Sequence, residues 1–155
     1  MTEYTADQVL QGIRDWAEQC YQQAGQKVEV ALHGGRFTPA DLKRYATAAR
    51  ACRIALEGLR FEVTGRGELI TSGQVVVVVL AGDNGKKDTR ALNVLQVASV
   101  LQAALPASRC GLALQDSINA KDVRSANLYN AALAAAGTAG WVITWPVKFQ
   151  HTRVR

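Results

Sequence analysis

"ANLYNAALAAAGTAGWVITWPVKFQ", residues 126–150, holds two of the three tryptophans of the chain. Its final part alternates Trp141, Ile143 and Trp145 against Val142, Thr144 and Pro146. A period of two marks a β-strand with one buried face. The tryptophan row is therefore expected to face a core, on a last strand that completes a sheet. Pro146 has no N–H to give to a ladder, which points to an edge or a strand end at that position. The lead-in is alanine-rich, which favours helix, while Gly137 and Gly140 argue for a turn. It reads as a turn or short helix feeding the strand. Beyond Pro146 the chain runs into a basic tail, "HTRVR", expected to be free for contacts.

A second β signal lies in the middle of the chain. "QVVVVVLAG" (74–82) is a continuous β-branched run, expected to be buried on both faces. Before it, "RIALEGLRFEVTG" (53–65) alternates twice. Ile54 and Leu56 oppose Arg53, Ala55 and Glu57, and then Phe61 and Val63 oppose Arg60 and Glu62. "GRGELITSGQ" (65–74) is rich in glycine and reads as the turn of a hairpin.

Helical signals flank these strands. Thr5 can cap a helix starting at Ala6, with Asp7 and Asp15 toward its positive end. Val9, Leu10, Ile13, Trp16, Ala17, Cys20 and Tyr21 make one apolar face, and Gly25 stops the helix. Trp16 belongs to core packing. "KVEVALHGG" predicts a strand over 28–32, broken by Gly34 and Gly35, with His33 a turn residue without a role. Thr38, Pro39 and Asp41 form a helix-start signal. They predict a short helix or irregular connection with Leu42, Tyr45, Ala46 and Ala49 on its apolar face. "GDNGKKDT" (82–89) is a loop. Asp88 or Thr89 then caps a helix carrying Leu92, Leu95, Val97, Ala98, Val100, Leu101 and Leu105, ended by Pro106. A short strand is expected over 111–114. With no repeat and no long linker, the order predicts a single α+β domain over 1–155. Its sheet is mostly antiparallel, packed with helices on one face.

At 155 residues, with 48% hydrophobic and 20% charged residues, the chain is long enough for a core without metal or disulfide staples. Its longest apolar run, Val75 to Ala81, is far short of the roughly 20 residues that span a bilayer. "MTEYTADQ" lacks the basic-then-apolar pattern of a signal peptide, so a cytoplasmic origin is expected. Cys20, Cys52 and Cys110 have no metal-site spacing and read as reduced, packed thiols. The only histidines are His33 and His151, and nothing in the sequence sets either beside a cysteine as a base. The net charge of +5 permits contact with nucleic acid or an acidic protein, but the basic residues are interrupted by acids, as on a solvated mixed surface.

The search for chemistry is otherwise negative. There is no HExxH, no GxSxG and no phosphate loop at Gly82 and Gly85. Glu57, Glu62 and Glu68, or Asp116 and Asp122 around Lys121, keep a metal nuclease open, although solvent-facing charge explains them more simply. Phe37, Phe61 and Phe149 each have a basic neighbour and keep open a nucleic-acid-binding domain that stacks bases.

Over residues 122–150 the chain resembles the Mu-like phage tail terminator family. "DVRSANLYNAALAAAGTAGWVITW" carries the resemblance at Val123, Arg124, Asn127, Leu128, Tyr129, Gly140, Trp141 and Trp145, and departs from it at Pro146. Upstream, only the order of elements agrees. The resemblance implies a structural virion protein rather than an enzyme, with no cofactor or metal. It implies a homo-oligomeric ring, a hexamer in that family, assembled in the host cytoplasm and sited in the virion neck. Such a ring caps the tail tube, joins it to the head–neck connector and passes DNA through its lumen. On that basis the contacts fall on the loop 82–87, the hairpin 65–73 and the tail, with Arg66, Asn84, Lys86, Lys87, Lys148, Arg153 and Arg155 as interface residues. The alternative is a small nucleic-acid-binding or nuclease domain.

Overall fold

A computed structural model describes residues 2–45, 49–83 and 89–153. In chain order the elements are β1 (Glu3–Tyr4), α1 (Ala6–Gln23), β2 (Glu29–Leu32), α2 (Pro39–Tyr45), β3 (Arg50–Val63) and β4 (Leu69–Gly82). They continue with α3 (Arg90–Ala104), a 3-10 turn (Ala120–Asp122), β5 (Arg124–Leu128), α4 (Ala131–Ala135) and β6 (Thr138–His151). The fold is α+β, as expected. The sheet runs β1-β6-β4-β3-β2, with β5 also on β6. Its centre is antiparallel, β3 on β4 and β4 on β6, while β1 on β6 and β2 on β3 are parallel, so the sheet is mixed.

The tryptophan row lands where its period placed it. Ile143 and Trp145 are buried, with Val75, Val77 and Val79, beneath α1 and α3; Trp141 is half-buried at the margin. Trp16 of α1 meets Trp145 edge-on at 6.4 Å between ring centroids. The α1 stripe Val9, Ile13, Ala17 and Tyr21 repeats every four residues, which keeps it on one helix face. Gln8 Oε1 accepts the Thr5 backbone N–H at 2.9 Å, and the Thr5 hydroxyl beside Asp7 holds that carboxyl below its ordinary value.

The long helices lie on one face, but the helices are not confined to it. Leu42 of α2 and Leu133 of α4 pack with Ala51, Val78 and Leu80 on the opposite face. The valine run is thus buried on both sides from Val77 to Ala81, whereas Gln74 is exposed. The α2 start is a reciprocal cap, in which the Thr38 backbone N–H and hydroxyl both donate to Asp41 Oδ2 and Thr38 Oγ1 accepts the Asp41 N–H. Of the predicted α2 face Leu42 is buried and Ala49 exposed; Ala46 lies outside the described residues.

Several expectations are corrected. Residues 111–114 form no strand, because Cys110 (φ 53°) and Gly111 (φ 69°) adopt left-handed backbone that breaks an extended chain. The strand before the last is β5 instead, in the stretch read as a lead-in. The hairpin turn is confined to 64–68, closed by Thr64 N–H on Glu68 O at 2.9 Å, so Gly73 lies inside β4. Pro146 is neither a strand end nor on an outer strand; it sits mid-β6 opposite Gln74. It is tolerated because β5 covers only 140–144 of that side of β6 and β1 only 150–151, leaving a local edge between them. Beyond it Val147 and Phe149 are buried, so this segment is not simply free for contacts. His33 is buried, stacked on Phe37 at 4.1 Å and 3.6 Å from Asp41. Arg53 is also buried, its guanidinium bridging to Glu29 at 2.6 Å.

Two substitutions test this packing. Trp145→Ala is expected to cost about 3–5 kcal/mol in urea unfolding, more than the half-buried Trp141→Ala. A Cβ at Gly140 would come within 3.2 Å of Leu133 Cδ1 and 3.3 Å of Leu128 O. Gly140→Ala is therefore expected to cost about 1–3 kcal/mol by overpacking.

Candidate functional site

Among the described residues the catalytic candidates named from the sequence do not come together. Burial pushes the thiols of Cys52 and Cys110 each up to about 12, and raises that of Cys20. All three stay protonated at neutral pH, so none offers a thiolate nucleophile. Among the described residues no three His, Cys, Asp or Glu side chains are grouped to hold a metal ion. Glu57 pairs across to Gln74 and Glu62 to Ile70, four residues along β4. At about 3.4 Å per residue that separates the two by roughly 14 Å, too far to share one ion. Of the phenylalanines proposed for base stacking, Phe149 is buried and Phe37 is stacked on His33; only Phe61 is exposed.

The surface that does stand out is the far half of the β3–β4 hairpin. β2 pairs with β3 only over residues 51–54, and among the described residues no strand lies beside β3 beyond that. Between Glu57 and Arg60 the register shifts: Gly58 (φ 64°) and Leu59 together oppose Gly73. This bulge moves the inward parity from even residues (Cys52, Ile54) to odd ones. Phe61 and Val63 therefore share the face of Thr71 and Phe149. A Cβ at Gly73 would lie 2.8 Å from Leu59 Cδ2, so a bare glycine lets Leu59 lie flat across the strand. Leu59, Phe61 and Val63 form an exposed apolar stripe, with Phe61 60% exposed. On the reverse face Arg60, Ser72 and Lys148 form a row across three strands, beside a cleft of about 670 Å³ that Asp116 and Asp122 also line.

The predicted interface residues divide accordingly. Arg66 is exposed in the hairpin turn, and Arg153 Nη1 donates to Gly67 O at 2.6 Å, which joins the start of the tail to that turn. Lys148 is exposed on the reverse face of β6, beside the arm. The fold thus gathers these three at one end of the sheet. Asn84, Lys86, Lys87 and Arg155 lie outside the described residues. The apolar stripe was not foreseen: alternation in "LRFEV" gives one apolar face, and only the missing cover shows it to be outward. Tyr129, 83% exposed just after β5, also has no packing role that would explain a tyrosine there.

Several other residues of the 122–150 motif have structural work. Leu128 packs against the α2–α4 core, Gly140 admits Leu133, and Trp141 Nε1 donates to Ser125 Oγ on β5. No protein-family model matches the chain, and no curated protein matches it.

The thiols give a test. At pH 8 a thiol with pKa near 12 is about one part in ten thousand thiolate. Cys52 and Cys110 are thus expected to resist iodoacetamide until the chain unfolds, with Cys20 reacting first. These raised values also set a pH dependence. Unfolded thiols lose protons near 9 while the folded ones hold them to about 12, so stability is expected to fall as pH rises through that window. Urea midpoints at pH 8 and pH 10 check it.

Proposed function

We propose that this chain is a structural assembly protein, a phage tail terminator that forms a ring on the tail tube and joins it to the head–neck connector. The observation that carries the reading is the β3–β4 arm. It is a free-edged, apolar-striped strand with Arg66 and Arg153 at its turn, a surface suited to protein contact. The resemblance at 122–150 supports the same reading. Its motif residues lie on or beside β5 and on β6, which pair with one another, and leave Tyr129 outward as a contact side chain. Such a role needs no catalytic group, cofactor or metal. Its partners are further copies of the chain, the tube, the connector and the DNA that threads the ring. It acts in the virion neck after assembly in the host cytoplasm.

The competing reading, a nucleic-acid-binding or nuclease domain, has the Arg60–Lys148 row in its favour. Asp116 and Asp122 on the same cleft repel phosphate unless a cation bridges them, and among the described residues no third His, Cys, Asp or Glu joins them to hold one.

Light scattering on the purified chain, alone and with isolated tail tubes, separates the two. A closed species of about six copies, in solution or on tubes, is expected. Tyr129→Ala is expected to weaken tube binding while leaving the melting temperature within about 2 °C, because an exposed side chain contributes little to stability. A chain that stays monomeric, ignores tubes and cleaves DNA with Mg²⁺ would sink the proposal.

A further inference from the structure

The arm is not the only uncovered apolar surface. α3 carries leucines on its outward side as well as its inward one. Val94, Val97 and Leu101 enter the core, while Leu92 is 65% exposed and Leu95 is exposed beside it. With Gln26, Gln96, Ser99 and Val100 these two leucines line a shallow groove of about 510 Å³. Large apolar side chains left on the outward side of a helix mark a surface that a partner would cover.

The two surfaces lie at opposite ends of the sheet. The stripe flanks the 64–68 turn, where β4 begins. The groove lies where β4 ends: Asn93 Nδ2 donates to Gly82 O at 2.8 Å, and Arg50 Nη2 to Gln96 Oε1 at 3.0 Å. From Thr71, opposite Phe61, to Gly82 is eleven residues of strand. That is roughly 35 Å, so one chain cannot cover its own groove with its own arm.

We infer that the arm of one copy docks in the α3 groove of the next, with the edge formed by Leu59, Phe61 and Val63 laid against Leu92 and Leu95. The shapes differ, a strand edge and a groove. Arg60 and Glu62 alternate to the reverse side of the arm, leaving the Phe61 side to apolar residues and the His151 ring. The residues lining the groove are uncharged, with Arg50 reaching Gln96 at its margin. Unlike patches at opposite ends make a heterologous contact, which repeats from copy to copy until it closes.

Area sets its strength. At about 200 Å² for a fully exposed large side chain, these five expose roughly 500 Å² together. Specific interfaces bury at least about 1,000 Å² over both partners. The five therefore supply the apolar centre and leave the rest to the polar rim. An isolated pair is weak at that size, and a closed set, in which every copy makes two contacts, is the stable form. This deepens the ring reading by naming its contact, and rests with it on self-association of the chain.

The test uses a Cys20→Ser background, since Cys52 and Cys110 are buried. Phe61→Cys and Leu95→Cys chains are mixed under mild oxidation and run on non-reducing gels, with light scattering in parallel. A disulfide-linked pair that forms in the mixture, and not in either variant alone, is the expected result. In the parent chain, Phe61→Asp and Leu92→Glu should each weaken association by about tenfold or more with unchanged melting curves. Phe61→Cys pairing with itself would replace the inference by a two-fold, arm-to-arm contact. An oligomer that neither cross-links between these positions nor responds to either charge would overturn the contact while leaving the ring reading intact. A chain that stays monomeric at millimolar concentration and on tail tubes would overturn both.

Discussion

Fourteen residues of β4, Leu69 to Gly82, are registered one for one against His151 to Thr138 of β6. This uninterrupted antiparallel ladder is the constraint on which the rest depends. Because its side chains alternate strictly, fixing one pair fixes every other. Val77 opposite Ile143, and Val75 opposite Trp145, commit odd positions to the face under α1 and α3. Val78 and Leu80 are thereby committed to the face of α2 and α4. The helices then find their places by burying what each face offers.

The ladder is longer than the helices that cover it. At its Gly82–Thr138 end both faces are closed, one by α3 and the other by α2 and α4. Toward Leu69 and His151 the reverse face is open, with Ser72, Gln74, Pro146 and Lys148 all exposed. β3 follows β4 to that end without a strand outside it. The hairpin is thus an arm stiffened by β6 along one side, with no strand beyond β2 on the other among the described residues. A rigid edge of this kind binds without first having to be ordered, so less of its contact energy is lost on association.

Much of this arrangement could be read in the sequence. The tryptophan row, the valine run, the α1 stripe and the Thr38–Asp41 cap all rest on local periodicity or local chemistry, and the structure bears each out. The change of parity between Ile54, Leu56 and Phe61, Val63 was also visible, and the bulge at Gly58 is its cause. What could not be read depends on distant partners. Pro146 is acceptable because two short strands leave a gap beside it. Residues 111–114 alternate like a strand but are turned aside by left-handed backbone at Cys110. Arg53, read only as one side of an alternating strand, is drawn inward by Glu29 of the neighbouring strand β2, 24 residues earlier in the chain. The candidate surface was partly legible: Arg66, Lys148 and Arg153 were named and Phe61 was a base-stacking candidate, while the apolar stripe it makes with Leu59 and Val63 depends on cover that only the fold shows.

The bulge at Gly58 also bears on how such a chain can vary in length. It is the single point at which the inward parity of β3 changes, so a one-residue deletion or insertion between Glu57 and Arg60 would exchange Phe61 and Val63 with Arg60 and Glu62 across the arm. The turn at 64–68 is under no such restriction, because an added residue there leaves both strands in register. Relatives of this chain should therefore differ in length at the tip of the arm and keep its count at the base. An alignment anchored on the base would be the reliable one, and gaps placed there would signal misalignment rather than divergence.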